Sequence, residues 1–395
     1  MTPEEKLLLK LNGLFFFALS LAGIFVTVFL FQLGGFKAVV SYGLVSLTVL
    51  LIVYILSGYL LKKFSSLFLI RLGFLFFCGL YSLLFLFQEH SLDYLILLGI
   101  INGVANGNYW AGNNLTQYIA TYTHSRNEYF GKLNFFINIG SAFGPILGGT
   151  MIYFFNLSWP KIFGYATLFA LVALLFFVLF LIAGKLPRHK GVEFSFFSIL
   201  NHKRKASWVV VLSQQFFYGL FDVSFGAFSA ILIFIFLKEE LTLGAVNTLS
   251  MVVYALANLA AIRFLNKKKY AYIFGMVISP VALLVFGLQQ NWIGILSLVI
   301  VNNLFLPLLN ITTAKAIYDV IDTENAPWQQ KYHFLVERDA ALGLARVLSY
   351  AVLIWLFTLQ NQLAIAKSWI LIIPVAPFII GLLQLYEDLR LGAEV

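Results

Sequence analysis

Apolar residues run along this chain in long stretches, and charged residues punctuate them at near-regular intervals. Lys10 and Lys37 bracket 26 uncharged positions (11–36), Lys37 and Lys62 bracket 24, and Arg71 and Glu89 bracket 17. A helix needs about 20 predominantly apolar residues to cross a bilayer core, so these intervals predict helices 1 to 3. A fourth, longer and unusually polar, lies between Asp93 and Arg126; helix 5 follows Lys132 and helix 6 fills 162–184. Helix 7 (206–237) is interrupted only by Asp222, and helix 8 spans 241–262. The 45-residue run 270–314 holds two helices divided at Gln289-Gln290-Asn291-Trp292, and helices 11 and 12 follow. The pattern predicts an all-α membrane protein of twelve transmembrane helices.

Composition reaches the same class independently. Of 395 residues, 61% are hydrophobic and 11% charged, against roughly 25% charged in ordinary soluble domains. The single cysteine, Cys78, sits in an apolar run and reads as a small core residue. The N-terminus, MTPEEKLLLKLNG, has no small-residue cleavage site before its apolar run and reads as the start of a retained first helix.

The net charge of +9 is a matter of topology. With both termini cytoplasmic, the inner loops collect Lys62-Lys63, Arg126, Lys132, Lys185, Arg188, Lys190, Lys203-Arg204-Lys205, Lys267-Lys268-Lys269, Lys331 and Arg338, while Lys37, Lys161, Lys238 and Lys367 are the clear external cases. That asymmetry is the positive-inside pattern, and no nucleic-acid partner is needed to explain the charge.

The chain divides near its midpoint into an N-terminal six-helix bundle (1–184), a basic cytoplasmic linker (185–205) and a C-terminal six-helix bundle (206–395). The linker's middle, GVEFSFFSIL, suits either a short amphipathic surface helix or a plain tether. Internal repetition supports duplication. Asn114-Leu-Thr-Gln-Tyr-Ile-Ala late in helix 4 echoes Asn310-Ile-Thr-Thr-Ala-Lys-Ala late in helix 10. Arg126 precedes Gly131 by five residues, as Arg338 precedes Gly343.

Helix 5 carries the most specific pattern, GKLNFFINIGSAFGPILGG, with Gly131, Gly140, Gly144, Pro145, Gly148 and Gly149. Gly140, Gly144 and Gly148 share one stripe, a small-xxx-small face for close helix packing, and Pro145 frees the carbonyl of Ser141. This spacing resembles the helix 5 antiporter motif of the major facilitator superfamily. The resemblance implies two six-helix halves meeting at this helix, a central pathway lined by helices 1, 4, 7 and 10, and a lean toward export. A second signature of that family, between helices 2 and 3, is kept only in part: Gly58 is present, but Lys62 stands at the aspartate position and Ser65 at the second glycine. Arg126 and Glu128 in one half and Glu337, Arg338, Asp339 and Arg346 in the other are expected near cytoplasmic helix ends, as an inner-gate latch or as ordinary solvated loop charge.

Polar faces at bilayer depth mark candidate cavity residues. Helix 4 offers Asn102, Asn106, Tyr109, Trp110, Asn113 and Gln117; helix 7 offers Gln215, Tyr218, Asp222 and Ser229; helix 8 offers Asn247, Ser250, Tyr254 and Asn258; helix 10 offers Asn303, Pro307 and Asn310. Helix 1, with Ser20 and Gln32, reads as apolar. Each amide serves equally as interhelical glue. Asp222 is the one carboxylate placed well inside the membrane, hence either the proton-coupling group or an aspartate satisfied by neighbouring amides and tyrosines.

Histidines 90, 124, 189, 202 and 333 lack metal-ligand spacing, and no HExxH, CxxC or Walker loop occurs, so no enzyme, metal or cofactor is expected. The resulting expectation is a secondary transporter working by alternating access in a bacterial inner (cytoplasmic) membrane, proton-coupled and exporting a small, aromatic-compatible solute. Its expected partners are substrate, protons and lipids, and it is expected to be a monomer. An uncoupled or sodium-linked carrier of a polar metabolite, and a lipid flippase or assembly factor of the same fold, stand beside that expectation. A strongly anionic substrate is disfavoured unless Arg71 or Arg346 reaches inward.

Overall fold

The computed structural model describes residues 3–120, 126–158, 162–197, 204–323 and 327–393. Among them the secondary structure is entirely helical. A continuous helix, Pro3–Lys63, is two crossings joined at Gly34 (φ −142°) and Gly35 (φ +67°). The positive φ at Gly35 is open to glycine at no steric cost, so the chain reverses there without a loop. We number these crossings α1 (3–33) and α2 (36–63). They are followed by α3 (Ser66–Phe87), α4 (Leu95–Ala120), α5 (Arg126–Ser158), α6 (Phe163–Ala183), α7 (Ala206–Leu237), α8 (Glu240–Lys267) and α9 (Tyr272–Leu288). Then come α10 (Trp292–Asp322), α11 (Trp328–Leu359) and α12, which runs Gln362–Ile372 and Val375–Ala393.

Among the described residues, ten helices are long and apolar enough to cross a membrane. Dividing the first at its glycines and adding α4, which is long enough but too polar to qualify on composition, gives twelve crossings among the described residues. Local chemistry sets the breaks. Ser65 caps α3 by accepting from Phe68 N (3.3 Å), and Asn291 caps α10 by accepting from Ile293 N (2.9 Å) and Gly294 N (3.2 Å). Pro374, which has no N–H to donate, lies in the turn between the two parts of α12. Within α10, residues Ser297–Asn302 form a π-helical turn.

The chain forms two compact units. Unit 1 comprises residues 1–195, 237–252 and 328–332, and unit 2 comprises 196–236, 253–327 and 333–395. The outer portion of α8 therefore packs in unit 1 and its remainder in unit 2.

The core of unit 1 is aromatic. Phe15 stacks on Tyr109 at 3.7 Å, and Phe176 stacks on Phe77 at 4.7 Å and on Tyr81 at 5.6 Å. In unit 2, Tyr272, Leu309 and Ile380 bring α9, α10 and α12 together.

Residues 187–195 of the linker carry no helix. They are fastened to unit 1 instead: His189 O accepts from Ser66 N (2.9 Å), Glu193 N donates to Gln329 O (3.1 Å), and Phe194 is buried. Phe194 lies where Gly58 leaves room, since a Cβ at that glycine would sit 2.5 Å from the ring. The one glycine retained from the helix 2–3 signature thus seats the linker.

Candidate functional site

In unit 2, α7 and α11 approach closely because Gly219 has no side chain. A Cβ there would lie 2.3 Å from Leu342 O and 3.0 Å from Ala345 Cβ. About one turn further along each helix stand Asp222 and Arg346, which the close approach brings into contact. Arg346 Nε donates to Asp222 Oδ1 (3.2 Å) and Oδ2 (3.1 Å), and Arg346 Nη2 donates to Oδ2. This is the forked guanidinium–carboxylate geometry that makes arginine pairs strong and directional. The side chains keep 15% (Asp222) and 19% (Arg346) of their surface open. Asp222 Oδ1 also accepts from Val223 N (2.6 Å). Tyr218 and Tyr350 lie within electrostatic reach of both charges, and Asp339 within reach of Arg346.

Arg346 was expected among the cytoplasmic gate charges; it stands seven residues beyond Asp339 along α11, and its partner is Asp222 on α7. The other gate residues form local contacts. Buried Glu337 accepts from Trp208 Nε1 (2.6 Å) and Arg204 Nε (3.3 Å), and Arg338 pairs with its neighbour Asp339 at 2.6 Å. The side chains of Arg126 and Glu128, and Gly131, lie outside the described residues.

On the same helix as Asp222, Gln215 and Tyr218 are half-buried. Asn310 Nδ2 donates to Tyr254 Oη (3.2 Å), and Asn258 Nδ2 to Tyr254 O (2.8 Å). Asn303 is buried and donates to Val299 O (3.1 Å). Its neighbour Asn302, which the sequence reading passed over, accepts from Ser279 on α9. Both therefore serve the packing of the π-helical turn.

Unit 1 divides the α4 stripe by depth. Asn102 donates to Ser46 Oγ (2.8 Å), Asn106 donates to Asn102 Oδ1 (2.9 Å), and these two with Trp110 remain half-buried. Tyr109, Asn113 and Gln117 are buried around Asn12 of α1. Asn12 Oδ1 accepts from Tyr109 Oη (3.0 Å) and Gln117 Nε2 (3.4 Å), and Asn12 Nδ2 donates to Asn113 Oδ1 (3.2 Å). The reading of helix 1 as apolar missed Asn12 because Glu4, Glu5, Lys6 and Lys10 disguise its neighbourhood as a pre-membrane segment. Asn114 Nδ2 donates to Tyr54 Oη (3.0 Å), the counterpart of Asn310 and Tyr254 in unit 2. The sequence echo at Asn114 and Asn310 thus corresponds to the same amide–phenol pair.

On α5, the glycine stripe faces α1: Cβ atoms at Gly140, Gly144 and Gly148 would lie 2.5 Å from Gly13 O, 2.0 Å from Ser20 Oγ and 2.3 Å from Leu21 O. Pro145 and Gly149 face the outer portion of α8, whose Gly244 would bring a Cβ to 2.3 Å from Pro145 O. Beside that contact Thr248 is spliced into the α5 backbone. Its hydroxyl accepts from Ile146 N (3.1 Å) and donates to Ala142 O (2.8 Å), taking the place of one helical hydrogen bond. Near the start of α8, Glu240 Oε1 accepts from Gln32 Nε2 (3.1 Å) and Tyr165 Oη (3.0 Å). Neither Thr248 nor Glu240 was singled out in the sequence, since a lone threonine and a helix-end glutamate carry no spacing signal. No cluster of three or more metal-ligating side chains occurs among the described residues.

A family model of the Major Facilitator Superfamily matches residues 8–327. The chain belongs to this superfamily. Among curated proteins it is similar to YqgE of Bacillus subtilis (strain 168), 26% identical over 362 residues, covering 90% of this chain and 83% of that protein. Among solved structures it superposes on a protein from a study of substrate recognition in proton dependent oligopeptide transporters, with TM-score 0.73, 13% identity and all of both chains covered. The E. coli fucose:proton symporter FucP matches with TM-score 0.62 and 16% identity, covering 96% of this chain and 98% of that one. At these identities the structural likeness speaks for the fold. The superfamily member described here is a multi-pass integral membrane protein and a secondary transporter rather than an enzyme.

Proposed function

We propose that this chain is a proton-linked secondary transporter of a small solute, working by alternating access in a bacterial cytoplasmic membrane, with Asp222 as the proton site and Arg346 as its partner. The ion pair on α7 and α11 carries the reading. An ionisable pair midway along two membrane helices, left part-open and flanked by Tyr218 and Tyr350, is costly to keep unless it has work to do. A group whose charge changes as its partner leaves couples protonation to a change of helix packing. Support from outside the chain comes from fold neighbours described as proton-dependent, and from a Bacillus relative for the bacterial setting.

We leave direction to the gradients. The expectation of export rested on the α5 spacing, and the contacts of Gly140, Gly144 and Gly148 with α1 serve helix movement in either sense. The solute, lipid and monomer expectations stand as parts of this proposal.

Wild type and Asp222→Asn, purified and reconstituted, test it by solute uptake with and without an imposed pH gradient. Acceleration by the gradient in wild type alone is the expected result; equal rates in both proteins, indifferent to pH, would remove Asp222 from coupling. A second reading, an uncoupled or sodium-linked carrier of a polar metabolite, draws on the half-buried amides Asn102 and Asn106, and that indifferent outcome favours it. Stabilisation by lipids alone would favour a flippase.

A further inference from the structure

The charge arithmetic of the Asp222–Arg346 pair restricts what the transporter carries. Among the described residues, the Arg346 side chain donates hydrogen bonds to Asp222 and to nothing else, through Nε and Nη2. Its Nη1 edge is uncommitted, and the side chain keeps 19% of its surface open. Arginine stays charged in proteins, so this site always contains one fixed positive charge. Four combinations of proton and anion are then available. The empty pair, Asp⁻ with Arg⁺, is neutral. Protonating Asp222 alone leaves a lone, half-buried guanidinium. Adding an anion alone leaves a net negative charge. Adding both, so that the anion takes Arg346 as protonated Asp222 lets it go, is neutral again. A lone charge in the membrane interior costs several kcal/mol, so only the empty and the doubly loaded states are cheap to move between the two faces.

We propose that the substrate is a small monoanion, a carboxylate, bound by Arg346 and carried together with one proton on Asp222. This rests on the proton-linked reading above and names the substrate class of the same site. No bond is made or broken beyond the proton on the Asp222 carboxyl, which comes from one aqueous face and is released to the other. A neutral solute would leave the protonated state charged, and a cation would compete with Arg346 for Asp222 and strand the guanidinium. The other titratable groups facing the pair are Tyr218 on α7, Tyr350 and Asp339 on α11, and Tyr254 on α8 beside Tyr218. The tyrosines are neutral phenols at ordinary pH. Asp339 is paired with Arg338, whose positive charge offsets that of its carboxylate, so the two together add no net charge to the site. The aromatic flank makes the anion's apolar body compatible with the site, and the condition that disfavoured an anionic substrate, that no arginine reach inward, is not met.

Chemical rescue tests this without knowledge of the natural solute. Asp222→Asn removes the carboxylate and leaves Arg346 seeking an anion. Thermal midpoints of purified wild type, Asp222→Asn, Arg346→Gln and the double variant are measured with formate and acetate, with formamide and acetamide as neutral matches and with methylammonium as the cation. Carboxylates are expected to stabilise Asp222→Asn with an affinity at least about tenfold above that of wild type at about pH 8, a difference of about 1.4 kcal/mol. The amides and the cation are expected to do nothing, and variants lacking Arg346 not to respond. Wild type supplies a measurement independent of variant folding: acetate, ionised throughout, should bind more tightly at about pH 6 than at about pH 8. Absence of both the rescue and the pH effect, with pH-linked transport of some solute intact, would overturn the anion class alone. Rescue accompanied by a wild type indifferent to pH would overturn the co-transport of a proton, and the proposed function with it.

Discussion

Thr248→Val isolates the hydroxyl that α8 inserts into α5, because valine keeps the shape and removes only the polar contact. Two hydrogen bonds disappear, from Ile146 N and to Ala142 O. Interhelical hydrogen bonds in membranes average about 0.6 kcal/mol each, which gives about 1.2 kcal/mol. The valine methyl then occupies the gap and keeps the Ala142 and Ile146 groups apart, so a backbone N–H loses its partner at a further cost of about 1–3 kcal/mol. The sum is about 2–4 kcal/mol. Alanine removes the obstruction and lets the α5 bond re-form, so Thr248→Ala should cost less despite deleting more atoms. Serine keeps the hydroxyl and should lose only about 0.8 kcal/mol for its methyl. Unfolding of the purified proteins in mixed micelles, titrated with denaturing detergent, gives the stabilities of the three variants and wild type. The expected order from least to most stable is valine, alanine, serine, wild type. An alanine variant less stable than the valine variant, or a valine variant equal to wild type, would refute the inserted-hydroxyl account.

Gly219→Ala places a Cβ 2.3 Å from Leu342 O and must push α7 from α11; it is expected to cost about 1–3 kcal/mol and to weaken the pH linkage of transport, read from uptake with and without a gradient. Gly144→Leu and Gly148→Leu are expected to insert but not transport, since bulk would separate α5 from α1; normal uptake by both would remove the stripe from the mechanism. Asn12→Ala withdraws the hub shared by Tyr109, Asn113 and Gln117, and a loss of about 1–3 kcal/mol is expected from the hydrogen bonds it removes, whereas Asn12→Asp at neutral pH should be worse by burying a charge. Phe194→Ala is expected to loosen residues 187–195 from the Gly58 seat, visible as faster proteolysis of the linker with the helices intact.

Much of the fold was legible because lipid imposes one dominant rule: every crossing must be a long apolar helix, and charge must stop at its ends. The intervals between Lys10, Lys37, Lys62, Arg71 and Glu89 therefore showed where helices begin and end, even where Gly34 and Gly35 fuse two crossings into one continuous run. The repeated asparagines at 114 and 310 were visible for a similar reason, since each is a polar residue that an apolar helix keeps only for a partner. Sequence also singled out Asp222 as a carboxylate inside a span. It could not supply the partner. Arg346 is 124 positions away and follows a cluster of cytoplasmic charges, and only the close approach permitted by Gly219 decides that it meets Asp222 rather than solvent. Asn12, Thr248 and Glu240 were illegible on the same ground. A single polar side chain has no period, and whether it joins a cluster, a neighbouring backbone or water depends on which helix is packed against it, which tertiary structure alone determines.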